Sequence, residues 1–111
     1  MPEFGTPFKG NKCDRKLTKD ELVRAIRFSV AAEFESIQFY EQLKESIDNT
    51  EAKRLLDEIA DDEKVHVGNF LQLLKMLAPD EEEHYEKGSI EAVKVMNGED
   101  DAVSYTHLRA H

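Results

Sequence analysis

The stretch DEIADDEKVHVGNFLQLLKML, Asp57–Leu77, decides how this chain folds. Ile59, Phe70, Leu73 and Leu77 recur at the three- and four-residue steps that place side chains on one face of an α-helix. The same steps run Leu56, Ile59, Glu63, His66, Phe70, Leu73, so a carboxylate and an imidazole take two consecutive core-facing places. Burying an ionised carboxylate without a partner is very costly. A compensating group is therefore expected beside them.

This helix extends back to about Glu51, with Leu55 and Leu56 on its face, and Pro79 ends it because proline lacks the N–H a helix interior needs. The segment DNT at 48–50 is a turn, with Asn49 or Thr50 as the cap of the helix that follows. Ahead of the turn a first helix is predicted from about Lys19 to Ile47. Thr18 with Glu21 three residues on has the form of a capping box, and Leu17 and Leu22 are placed for a hydrophobic staple. Leu22, Ile26, Val30, Ile37 and Tyr40 form its stripe, which Phe34 and Leu43 widen. Within it Ile26, Val30, Glu33, Ile37 and Tyr40 are spaced 4-3-4-3, and the place between Val30 and Ile37 is again a carboxylate.

Two long amphipathic helices joined by a short turn predict an all-α fold, an antiparallel two-helix hairpin. A short third helix is expected from Ser89 over IEAVKVM, with DEEEHYEKG at 80–88 adding at most a turn. Residues 1–16, with Pro2, Gly5, Pro7 and Gly10, read as a flexible arm; residues 17–97 form the helical domain; and 98–111 read as a flexible or non-native tail.

The 111 residues suffice for one domain with a thin core. Fifteen Lys plus Arg against 24 Asp plus Glu give a formal charge of -9, which disfavours nucleic acid and anionic membrane and favours cations. Nothing approaches a membrane span or the apolar core of a signal peptide, so a cytoplasmic location is expected. The single cysteine, Cys13, excludes a four-cysteine or CxxC metal centre.

Glu33 and Glu63 each lie about 15 residues, or about 22 Å of helix axis, from the turn, so the hairpin brings them level. His66 sits one turn beyond Glu63 on the same face. One Glu from one helix and Glu-x-x-His from the next are half the ligand set of a di-iron carboxylate bundle. Dimerisation about a twofold axis would supply the other half and close a four-helix bundle around it. Oxygen and imidazole ligands suit iron, manganese or zinc, and Fe(II) oxidation by O2 is the natural chemistry of an iron pair. Tyr40 lies two turns from Glu33, as a bond to a ligand carboxylate or as a core aromatic. Glu35 points elsewhere, as a place where cations approach, a contact between dimers or a solvated acid. The alternative for the trio is a metal-free ion-pair network among Glu63, His66 and Glu33, against which the matching level of Glu33 weighs.

The stretches AAEFESIQFYEQL and LLDEIADDEKVHVGNFLQLLKML resemble the ferritin-like superfamily, and within it the encapsulated ferritins, short two-helix relatives of rubrerythrin. The resemblance covers about residues 20–96. It implies a homodimer with a ferroxidase centre at its interface, Glu33, Glu63 and His66 as metal ligands and Tyr40 as the nearby tyrosine. It implies a ring-like decamer of those dimers and delivery of oxidised iron inside an encapsulin shell. The family's second carboxylate site on the first helix is matched by Glu35 but met by Ala32 at its other main position, which changes its strength or composition. Two other activities fit the same residues: a rubrerythrin-like peroxide reductase, which would need a separate electron donor here, and a non-catalytic, metal-stabilised oligomer.

Overall fold

In a computed structural model, residues 12–99 are described. Residues 1–11 of the predicted arm and 100–111 of the predicted tail lie outside them. Three helices follow one another: α1 (Lys19–Glu45), α2 (Thr50–Leu77) and α3 (Pro79–Met96). Among the described residues no helix is long and apolar enough to cross a membrane.

The start of α1 forms as its sequence predicts. Thr18 is extended, the Glu21 N–H donates to Thr18 Oγ1 at 3.2 Å, and the Thr18 N–H donates to Glu21 Oε1 at 2.9 Å. Arg15 adds a clamp, donating to both Glu21 carboxylate oxygens at 2.7 and 2.6 Å. That charged hydrogen bond, and then the Thr18 N–H, hold Glu21 down at about 2 from its ordinary 4.5. The helix stops at Glu45, two residues short of Ile47, because Ser46 turns back on it: its N–H donates to the Leu43 carbonyl and its hydroxyl to that of Gln42. At the next helix Asn49 is the cap, accepting from the Ala52 N–H at 2.9 Å, and Thr50 is the first helical residue.

The start of the third helix corrects the prediction. It begins at Pro79, ten residues before Ser89. Proline suits a first helical turn, where its missing N–H has no partner to lose, and Asp80, Glu81 and Glu82 oppose the positive end of the helix dipole. Residues 80–88 are almost all polar, so no apolar period marks them as helix. The helix ends with Gly98 in the left-handed region (φ 71). Among the described residues, those from Ala78 to Glu99 make a unit of their own, in which no residue of α3 is buried.

The other unit is the α1–α2 hairpin. Its buried seam joins Val23, Ile26 and Ile37 to Ala60, Val67 and Leu74. Ala60 and Val67 are outside the predicted stripe, whereas Leu56, Ile59 and Phe70 are only half-buried and Leu73 is exposed. At about 100° per residue the true seam of α2 is rotated roughly 40° from Glu63. The apolar arc is wider than one neighbouring helix can cover, and the hairpin uses only part of it.

The two long borders of the seam differ. Along one, Lys44 Nζ meets Asp57 at 2.8 Å, and Lys64 Nζ lies between Glu41 at 3.5 Å and Asp61 at 3.4 Å. The other carries His66, Leu43 and Leu73, all exposed.

Candidate metal centre

Glu33 on α1 and Glu63 and His66 on α2 come together on that second border. The level predicted by counting from the turn is the level observed. Each residue offers one ligand atom, and the three atoms all lie within 4.8 Å of one another. His66 Nδ1 stands 3.8 Å from Glu33 Oε2 and 3.8 Å from Glu63 Oε2. Those separations are too long for hydrogen bonds. They suit atoms sharing one cation, since ligands about 2.1 Å from a metal are up to about 4.2 Å apart.

Burial sharpens the distinction from an ion-pair network. The side chains of Glu33 and Glu63 are 18% and 20% exposed, and that of His66 is 49% exposed. Glu33 Oε2 is buried with no hydrogen-bond partner. A buried carboxylate oxygen without a hydrogen bond is unfavourable, and His66 at 3.8 Å compensates it only when its ring is protonated. The half-open imidazole leaves the cluster accessible from the exposed border. Two carboxylates and one imidazole form a hard, anionic donor set suited to iron, manganese or zinc.

Tyr40 and Glu35 are placed differently. Tyr40 is half-buried, its ring edge-on to Phe39 with centroids 5.7 Å apart. Both line an open cleft of about 240 Å³ with Ala32, Glu35 and Ser36. Glu35 belongs to this cleft and not to the three-residue cluster. Ser36 was not singled out from the sequence; an isolated serine on a helix carries no spacing signal.

Comparison with known proteins agrees with this arrangement. The rubrerythrin family model matches residues 24–106, which include the whole cluster. The crystal structure of the encapsulated ferritin domain from Pyrococcus furiosus superposes with a TM-score of 0.69 at 36% identity, covering 77% of this chain and 86% of that one. This chain belongs to the rubrerythrin superfamily, among its encapsulated ferritin-like members. Two curated relatives are similar over shorter shares of their own length. A ferritin-like–encapsulin shell fusion protein of Pyrococcus furiosus is 35% identical over 85 residues, 77% of this chain and 24% of that protein. The encapsulin nanocompartment cargo protein EncC of Myxococcus xanthus is 36% identical over 70 residues, 63% of this chain and 54% of that protein. The chain thus spans about a quarter and about half of these two relatives.

Proposed function

We propose that this encapsulated ferritin-like chain is a ferroxidase that oxidises Fe(II) to Fe(III) with O2 at a di-iron site shared by two copies. The observation that carries this reading is the convergence of Glu33, Glu63 and His66 around an unpartnered buried carboxylate oxygen on an exposed border of the hairpin. The described residues of one chain bring three donor side chains together, too few for two irons. A twofold-related copy repeats each donor, covers the exposed border and completes a four-helix bundle.

Each residue then has a role. Glu33 and Glu63 supply negative charge that offsets the incoming cations and bridge between them. His66 binds through one ring nitrogen, and the other is held by a neighbouring acceptor. Tyr40 and Glu35 lie in the adjoining cleft, where Tyr40 would donate a hydrogen bond toward a ligand carboxylate and Glu35 would give cations an intermediate stop. Iron is the substrate: each Fe(II) gives up one electron, a pair gives two, and O2 takes them. Ferric product then leaves for mineral growth elsewhere.

The names of the two curated relatives support a setting as well as a reaction. One is a fusion to an encapsulin shell and the other an encapsulin cargo protein. We place this chain inside an encapsulin compartment of the cytoplasm, its dimers arranged as a ring-like decamer. The deciding experiment loads the metal-free protein anaerobically with Fe(II), counts iron per chain, and then admits O2. Two irons per dimer and rapid O2 consumption are expected. Peroxide-dependent turnover without net Fe(III) would favour a peroxide reductase, and tight zinc with no O2 uptake on adding Fe(II) would favour a structural oligomer.

A further inference from the structure

Asn97 and Gly98 stand together at the end of α3. Of the chain's four asparagines, Asn11, Asn49, Asn69 and Asn97, only Asn97 precedes a glycine. The helix closes on this pair. The Gly98 N–H donates to the Val95 carbonyl at 3.0 Å and the Glu99 N–H to the Lys94 carbonyl at 2.8 Å, with Gly98 at φ 71. These are the bonds of a glycine-terminated helix end. Both residues are exposed, and nothing stands within 4 Å of where a Cβ on Gly98 would sit. A side-chain amide thus lies next to a peptide nitrogen that no side chain shields. The other asparagines of the described residues are held differently. Asn49 Oδ1 accepts from the Ala52 N–H at 2.9 Å, and β-branched Thr50 follows it; Asn69 lies inside α2 ahead of Phe70.

We propose that Asn97 is a site of spontaneous covalent modification, where its amide becomes an aspartyl or isoaspartyl carboxylate by way of a cyclic imide. The Gly98 backbone nitrogen attacks Asn97 Cγ. The bond from Cγ to the amide nitrogen breaks, and ammonia leaves with the proton that the Gly98 nitrogen gives up. Water then opens the imide. Opening at the side-chain carbonyl leaves an aspartate. Opening at the main-chain carbonyl leaves an isoaspartate, whose backbone runs through Cγ and is a methylene longer. The sum is asparagine plus water to acid plus ammonia, with no oxidant or reductant.

The helix end sets the rate. With ψ 0 at Asn97, the Gly98 nitrogen is eclipsed with the Asn97 nitrogen and turned from the Asn97 side chain. Attack requires this peptide to rotate, which breaks the Gly98–Val95 bond. Glycine permits the rotation, and fraying of a helix terminus costs little. The product acts on the same place. A new negative charge at a helix C-terminus opposes the dipole, and Glu99, Asp100 and Asp101 follow it in sequence. The longer isoaspartyl backbone also takes the Gly98 and Glu99 N–H groups out of register with Val95 and Lys94. Conversion therefore unwinds the last turn of α3 and marks a chain by its age, independently of the metal centre.

The test incubates the full chain in mildly alkaline buffer made with heavy-oxygen water. Digestion in ordinary water then adds no label, and peptide masses locate the conversion, with isoaspartate counted by enzymatic methylation. Heavy oxygen should enter at Asn97 ahead of Asn49 and Asn69, and isoaspartate should be among the products. Exchange of the Gly98 and Glu99 amide protons should quicken in the converted protein. Asn97→Gln keeps an amide but closes the larger ring poorly, so label at this position should be lost. Gly98→Ala puts a methyl group in the path of attack and should slow conversion several-fold, although its conformation strains the helix end. Urea should speed the unaltered chain only a few-fold, because the gate is one frayed turn. An Asn97 that stays unlabelled in the native chain while it converts in urea overturns the proposal. So does a Gly98→Ala protein that converts as fast as its parent, or a product free of isoaspartate. Unchanged amide exchange after conversion would overturn the unwinding of α3.

Discussion

The two long borders of the hairpin seam treat charge in opposite ways. On one, Lys44 finds Asp57, and Lys64 finds Glu41 and Asp61, so the charges of two helices are matched within a single chain. On the other, two carboxylates face an imidazole 3.8 Å away, too far for hydrogen bonds and an ion pair only when the ring is protonated, and one buried oxygen has no hydrogen-bond partner. The first border is complete in the monomer and the second is not. On the proposed reading, this incomplete polar border set among exposed apolar side chains is where a cation and a second chain would bind.

Substitutions that reach the incomplete border should have the largest effect. Glu33→Ala or His66→Ala removes a proposed ligand, and because even outer partners of metal ligands are worth about 10–100-fold, the rate of Fe(II) oxidation should fall by at least about 100-fold. Stopped-flow absorbance at matched iron loading reads this directly. Rapid oxidation in both variants would end the assignment. Leu74→Ala acts on the seam between the borders. Leu74 is among the most buried side chains, and its truncation should lower unfolding free energy by about 2–4 kcal/mol in denaturant melts of metal-free protein. Iron stoichiometry of the fraction that remains folded should not change.

A third substitution opposes stability to activity at one atom. Glu33 Oε2 is buried without a hydrogen-bond partner. Glu33→Met removes that unfavourable oxygen, so the metal-free protein should gain about 1–3 kcal/mol even as oxidation is lost. In the unaltered protein, adding metal should raise the melting temperature, because the ion binds only the folded state, and Glu33→Met should remove that rise. A metal-free Glu33→Met protein less stable than its parent would mean that the carboxylate is already satisfied.

How much of this could be read in advance differs between the same regions. Glu33, Glu63 and His66 were legible because they interrupt an apolar period, and an interruption at a fixed level in two helices is a strong signal. The position of the seam was less so. Ala60 is small, and Val67 sits beside the stripe that contains Glu63, so periodicity centred the core on the arc that the hairpin leaves partly uncovered. The early start of α3 was hidden because residues 80–88 are almost all polar, and a helix without an apolar side has no period to detect. The Arg15 clamp joins residues on either side of a helix start, where no repeat applies.

Small effects are expected on the complete border. Lys44→Met and Lys64→Met remove exposed ion pairs, which are screened by water and salt, and neither should measurably change oxidation or stability. A marked loss of activity in Lys64→Met would show that the two borders are coupled through the register of the helices, and the contrast between them would need revising.

A pH dependence is expected at the start of α1. Glu21 is held at about 2 by Arg15 first and by the Thr18 N–H next. A carboxylate whose folded-state value is depressed contributes stability above its ordinary 4.5, and that contribution is lost as pH falls from there toward about 2. Glu21→Gln keeps a side chain able to complete the capping box while removing the charge that Arg15 grips. The melting temperature of Glu21→Gln should therefore lie slightly below that of the parent at pH 6, and the gap should close by about pH 2. Because the pair is exposed, added salt should narrow the gap at pH 6 as well. A gap that stayed constant across this range would mean that the clamp acts through hydrogen bonding alone, with the charge on Glu21 contributing nothing to the helix start.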